Sequence, residues 1–176
     1  METSTLIQFL KAEHHAFAAE VSEMDEKTFL CTTNGKWTPG QQLTHIQKSI
    51  LPIGIGLKLP LWLIGLIFGK RTTGSESYEK IEARYRQKLA EGTKAPKPYI
   101  PPKVQFSQKE KVCKALVGTT NQLCRQLELL PESAWDTVLM PHPSLGKITI
   151  REMIQFSLAH LRHHRESVQM LSKSVI

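Results

Sequence analysis

The sequence predicts an all-α protein: a bundle of four principal helices, elaborated by an extra apolar segment after the second. Three observations carry that expectation. Apolar residues recur at spacings of three and four through several long stretches, the mark of amphipathic helices. Two Ser/Thr-x-x-Glu signatures, Ser107 with Glu110 and Thr149 with Glu152, have the form of capping boxes that open helices. No strand pattern of any length appears, apart from a short extended piece at 136–140. The 176 residues suit one domain spanning 1–176, and 40% hydrophobic with 22% charged residues argues against a disordered chain.

The first helix is expected over residues 3–24, where Leu6, Ile7, Leu10, Phe17, Val21 and Met24 form a stripe. His14 falls on that stripe and His15 off it. A loop around Cys31–Lys36 follows, with Asn34-Gly35 as its turn signal. Thr38-Pro39 opens the second helix, because Thr can cap free amides and Pro at the first helical position loses no hydrogen bond. Another helix is expected from Ser75 to about Ala90, with Tyr78, Ile81, Tyr85 and Leu89 on one face. Pro96, Pro98, Pro101 and Pro102 make 91–106 an extended connection. A long helix then starts at Ser107, striped by Val112, Leu116, Thr119, Leu123, Leu127 and Leu130. Residues 131–147, with Trp135 and the Pro-His-Pro at 141–143, read as irregular. Trp37 and Trp135 read as core anchors near the bundle ends. Thr149 begins the last helix, which runs to about Leu171.

Residues 50–69 stand apart. They approach the roughly 20 apolar residues a membrane span needs, but Lys58 lies near their centre and Pro52, Gly54, Gly56 and Pro60 interrupt them. No stable membrane insertion is expected. A buried irregular segment, a lid over a pocket or a dimer contact fits better, and the surplus apolar surface suggests a homodimer.

The formal net charge of +7 admits nucleic acid, an acidic membrane surface or anionic small molecules as partners. The basic residues are scattered, without a run of five and without a helix-turn-helix or RNP-type aromatic motif, so no nucleic-acid partner is expected. Cys31, Cys113 and Cys124 are odd in number and lack CxxC spacing, which favours a reducing compartment. Met1-Glu2-Thr3-Ser4 has no basic stretch leading into an apolar core, so the cytoplasm is the expected location.

The chemistry lies in the histidines. His160 and His164 are four residues apart, about 6 Å of rise and 400° of turn, so both rings leave one face of the last helix. Two such rings can grip one transition-metal ion, which a third ligand from another helix completes. The pair alone is weak evidence, since seven histidines in 176 positions give about 0.3 such pairs by chance. Placement adds to it. The stripe Ile150, Ile154, Ser157, Leu161, Val168 includes His164, with His160 on its shoulder, while His163 points toward the polar side with Glu152. Interior imidazoles either bind metal or satisfy themselves on carbonyls and water, and the pattern does not choose. His45 points away from Leu43, Ile46 and Ile50, together with Gln41, Gln42 and Ser49, and that face either lines a polar cavity or is simply wet.

Lys36-Trp37-Thr38-Pro39 followed by Leu43-Thr44-His45-Ile46 resembles the W-[ST]-x…H-[LI] start of the second helix in the DinB/YfiT-like superfamily. Leu145-Gly146-Lys147-Ile148-Thr149, then Glu152 and His160-x-x-x-His164, resembles its closing G-x-[LIV]-T-x-x-E…H-x-x-x-H helix. The two motifs stand in the order that family uses, and the implied bundle covers nearly the whole chain. The resemblance implies a four-helix bundle holding a divalent metal ion, zinc or nickel, on three histidines. Carried over residue by residue, these are His45, His160 and His164. It leaves His14, His15, His142 and His163 outside the set, as surface or packing residues. The apolar stretch at 50–69 departs from the family pattern. Relatives of this kind include thiol S-transferases that use low-molecular-weight thiols and metal-dependent hydrolases. The expectation is therefore a metal-dependent enzyme with a small-molecule substrate and no assignable catalytic residue beyond the ligands. The alternative is a noncatalytic metal- or ligand-binding protein of stress response.

Overall fold

The structure, a computed structural model, describes residues 2–33 and 35–173. Met1, residues 174–176 and Asn34, half of the expected turn signal, lie outside the described residues. Helix α1 (Thr3–Ser22) buries Leu6, Ile7, Leu10, His14, Phe17, Ala18 and Val21 on one stripe. It stops short of Met24 because Asp25 caps a new short helix, α2 (Glu26–Phe29), by accepting from the Thr28 amide. Phe29 lies against Gly40, and its ring leaves no room there for a Cβ.

Helix α3 (Pro39–Gly56) opens as its sequence dictates, with Thr38 and Gln41 forming a reciprocal capping box and Pro39 in the first turn. The expectation of an irregular buried segment at 50–69 is corrected here. The helix runs through Pro52, and a second helix, α4 (Leu61–Phe68), follows a bend of 106°. An interior proline costs about 3 kcal/mol, and the buried Ile50 and Ile53 on either side of it offset that cost. Ile64 of α4 is buried, but six of the segment's large apolar side chains, Leu51, Ile55, Leu59, Trp62, Leu66 and Ile67, are exposed. No single helix among the described residues is long and apolar enough to cross a membrane.

Helix α5 (Tyr78–Ala90) starts three residues later than Ser75, because Ser77 is its cap and Ser75 instead bonds the Thr149 hydroxyl at 2.6 Å. The connection after it contains a 3-10 turn at Lys97–Tyr99. Helix α6 (Lys109–Glu128) does not use the expected Ser107–Glu110 box. The amide side chains of Gln105 and Gln108 cap each other's backbone in a preceding 3-10 turn, and Glu110 pairs with Lys114 at the surface. The buried threonine of its stripe is Thr120 rather than Thr119. The stretch expected to be irregular holds helix α7 (Glu132–Thr137) and a hairpin of strands β1 (Leu139–His142) and β2 (Gly146–Thr149), with Met140 opposite Ile148. Four-residue strands are too short to show a period, which hid the second one. Helix α8 (Ile150–Lys173) completes the chain.

The four long helices α1, α3, α6 and α8 make the bundle: α6 packs on α1 and α3, and α8 packs on the same two from the other side. Helix α5 lies against α8, and α4 against β1. Ile154, Leu161 and Val168 of α8 are essentially inaccessible, each contributing about 1.5–3 kcal/mol and together fixing the helix's rotation. Its N-terminus is fixed by Glu152, which is wholly buried rather than on the polar side. Thr149 and Glu152 cap each other at 2.8 and 3.2 Å. The same carboxylate accepts from the Glu76 amide at 2.7 Å and pairs with Arg71, binding the segment before α5 to α8. Removing one partner of a buried ion pair strands the other. Glu152→Ala is therefore expected to lose about 3 kcal/mol or more in urea unfolding followed by circular dichroism.

His14 is a packing residue, fully buried, with Nδ1 donating to the Leu10 carbonyl at 2.8 Å and Nε2 unpartnered. Burial lowers its pKa from 6.5 to about 4, against the opposing effect of that hydrogen bond. Above pH 6.5 the ring is neutral folded and unfolded alike. As pH falls toward 4 the unfolded chain takes up a proton that the fold refuses, so stability is lost across that window. The loss is on the order of 3 kcal/mol by pH 4. His14→Leu removes this term, so the variant's stability relative to the parent should rise steadily from pH 6.5 to 4 in urea titrations.

Candidate metal centre

His45 projects from α3, two turns after the Thr38 cap, and His160 and His164 from consecutive turns of α8. The structure brings the three together in the interior, with relative exposures of 4%, 8% and 8%. The Nε2 atom of His160 lies 3.0 Å from Nε2 of His45 and 3.2 Å from Nε2 of His164. His45 therefore faces a cavity, which settles the choice its helix face left open. His163 is exposed and stands outside the cluster, its ring centroid 5.2 Å from that of His164.

The outer nitrogens decide what the inner ones can do. His45 Nδ1 donates to the Tyr99 carbonyl at 2.8 Å. His164 Nδ1 donates to Gln42 Oε1 at 3.0 Å, an orientation set because the Gln42 amide nitrogen is given to the Trp37 carbonyl. A neutral imidazole with its proton on Nδ1 has a bare lone pair on Nε2. Two such lone pairs meet His160 Nε2, which has at most one proton to share between them. One cation satisfies all three. Nitrogens each about 2.1 Å from one ion stand about 3.0–3.4 Å apart, in keeping with the observed separations. The donor set thus fits a divalent transition-metal ion.

Electrostatics prepares the same state. Burial, before any other cause, lowers the pKa of His45 and holds those of His160 and His164 well below 6.5, with mutual repulsion among the rings adding to it. All three are neutral, and so able to act as ligands, at pH 7. Trp37, expected as a core anchor, is instead a half-buried wall, its ring 4.8 Å from His45 and stacked at 6.2 Å on His164. Trp135 is buried in the core.

The imidazoles open onto a cavity of about 740 Å³ between α3, α5, α8 and the hairpin. Pro52, Ile53, Tyr85, Met140, Met153 and Phe156 give it apolar walls. His142, expected at the surface or in packing, also lines it, with its ring 4.1 Å from Phe156. Its Nδ1 accepts from the Leu145 and Ser144 amides at 3.1 and 3.3 Å, so the neutral ring carries its proton on Nε2. Burial, helped by Arg84, lowers its pKa to about 4. Pro-His-Pro marked the turn but not the cavity. Gln42 shared the polar face of His45 and was visible in that sense, whereas a backbone carbonyl such as that of Tyr99 carries no sequence signal.

Metal binding should distinguish these roles. In calorimetric titration with zinc or nickel, His45→Ala, His160→Ala and His164→Ala are each expected to lose most affinity, and His163→Ala to keep it. Gln42→Leu, which removes the outer partner of His164 together with the bond to the Trp37 carbonyl, is expected to weaken binding by about 10–100-fold. Loss of binding in His163→Ala with retention in His160→Ala would refute the assigned helix face.

No curated protein and no solved structure matches the chain significantly. The model of the DinB superfamily matches residues 9–168, from the first helix to the last and through all three clustered histidines. With that match over most of its length, a helical bundle and three converging imidazoles at its centre, the chain belongs to the DinB superfamily.

Proposed function

We propose that this protein is a metal-dependent enzyme that promotes attack of a small thiol on an apolar electrophile, with His45, His160 and His164 as the metal ligands. The observation that carries the reading is the ligand-sized cavity onto which the three imidazoles open. A metal with a purely structural role is normally sealed by four protein ligands, whereas three ligands beside a cavity leave room for a reactant. A divalent ion such as zinc or nickel supplies, when bound, the Lewis acidity that makes a thiol or a water molecule give up its proton near neutral pH.

The chain's own residues favour the thiol over water. Among the described residues no Asp or Glu lines the cavity, so its wall offers no carboxylate of the kind that commonly serves as general base in hydrolysis. A thiol, with a pKa of about 8.5, needs far less help to ionise than water at about 15.7. The charged side chains lining the cavity are Lys88 and Lys94, both positive, with Lys88 also paired to Glu91 outside it. A positive field concentrates an anionic thiol. Trp37 and Phe156 shield the imidazoles from bulk water, and the apolar walls hold the electrophile. In the net reaction a sulfur–carbon bond forms, the bond to the leaving group breaks, and the thiol proton leaves with that group.

The test is a panel of apolar electrophiles with and without low-molecular-weight thiols, using metal-loaded, metal-stripped and His160→Ala protein. Turnover is expected only in the loaded parent and only with thiol. Lys94→Ala should raise the KM for an anionic thiol several-fold while leaving kcat near the parent value, an effect that fades as salt shortens the field to about 8 Å. Turnover in buffer alone would point to hydrolysis. Equal background in all three proteins, with the fold intact by circular dichroism, would favour the noncatalytic metal-binding alternative.

A further inference from the structure

The elbow between α3 and α4 is the least expected surface of the molecule. Leu51, Ile55, Leu59, Trp62, Leu66 and Ile67 are 39% to 74% exposed there, while the other large exposed apolar residues are scattered along the chain. Single exposed apolar residues are ordinary, but a cluster of six in consecutive turns marks a surface that something covers. Nor is the cluster a loose segment. Ile64 is anchored in the core, α4 packs on β1, and the Leu139 amide donates to the Gly69 carbonyl at 3.3 Å.

The charge around it selects the partner. Between Glu26 and Glu76 the sequence has no acidic residue. Lys58 and Lys70 are exposed beside the apolar side chains, and the stem of Lys70 lies over Gly65. On α7, next to the hairpin, Glu132 and Asp136 are engaged by Arg151. A two-fold contact of this face with a second copy would set like charges against each other. An anionic lipid surface instead offers both things the elbow displays a need for: apolar depth for Trp62 and Leu66, and negative headgroups for the lysines. Tryptophan is the residue that sits best at that boundary. The 106° bend lays α4 across the end of α3, a shape suited to resting in one leaflet.

The same elbow forms one end of the cavity. Pro52, Ile53, Gly56, Leu59 and Phe68 all line it, and Leu59 is also 43% exposed. From His45 to Gly56 is 11 residues of α3, about 16 Å along the helix. The apolar wall thus runs from the imidazoles to the exposed face. We propose that the α3–α4 elbow docks reversibly on an anionic membrane surface and, building on the proposed activity, that the apolar reactant enters the cavity from the lipid side.

Co-sedimentation of the full chain with vesicles tests the docking without any reliance on turnover. Phosphatidylcholine vesicles are compared with vesicles containing about one-third phosphatidylglycerol, using metal-loaded and metal-stripped protein. Binding to the anionic vesicles is expected at least tenfold tighter, weakened by salt, and accompanied by a blue shift of tryptophan emission that Trp62→Phe abolishes. W62S/L66S, outside the cavity lining, should lose binding tenfold or more, and K58E/K70E should lose the preference for anionic lipid. Thermal unfolding monitors the fold of both variants. Absence of binding, or equal binding to both vesicle types, overturns the proposal. So does a dimer that W62S/L66S dissociates in a protein that ignores vesicles. A failed vesicle experiment leaves the thiol reaction standing, since soluble substrates test that separately; failed turnover with intact vesicle binding removes only the lipid-side route.

Discussion

The hydrogen bonds on the outer nitrogens of His45 and His164 are the constraint on which the centre depends. Each is an ordinary contact, yet each removes a choice of tautomer and so commits an Nε2 lone pair to the middle of the cluster. Burial then removes the other escape, protonation. Two fixed lone pairs converging on the single Nε2 of His160 form an unfavourable arrangement without a cation and a preformed site with one, so ion binding and stability are coupled.

The scaffold supports this with unequal sides. Helices α1 and α6 contribute mostly apolar side chains, together with the isolated His14, and α3 and α8 seat their inner faces on that foundation. The other flank, bounded by α5 and the hairpin, holds the cavity. Glu152 joins the two regimes. By binding the Glu76 amide and Arg71 while capping α8, it holds the start of α5 against the helix that carries His160 and His164. That buried carboxylate and the packing of Tyr85 on Phe156 together place the cavity's walls relative to the imidazoles.

The elbow of α3 and α4 places apolar surface on both sides of one short stretch, inward on the cavity and outward on solvent. An apolar wall that continues to the outside has a physical consequence: a hydrophobic molecule can move along it without being fully rehydrated. That continuity, rather than the exposure alone, connects the surface to the chemistry.

The sequence by itself determined the long helices and the caps of α3 and α8. Thr38-Pro39, the Thr149–Glu152 box and the stripes of α1 and α8 act through neighbours three and four residues away, so they are legible in one dimension. The resemblance singled out His45, His160 and His164, and the folded chain draws those three together. Tertiary structure decided the rest, because the rest depends on partners far away in the chain. Whether His45 was wet or buried turned on the Tyr99 carbonyl, 54 residues on. Glu152 looked like a solvent-facing cap until Arg71 and the Glu76 amide closed over it. Ser107 lost its capping role to a pair of glutamines in the preceding turn. His142 became a cavity wall only when two four-residue strands paired and turned it toward Phe156. Pattern reveals which side of a helix is apolar; what stands opposite that side is set by packing.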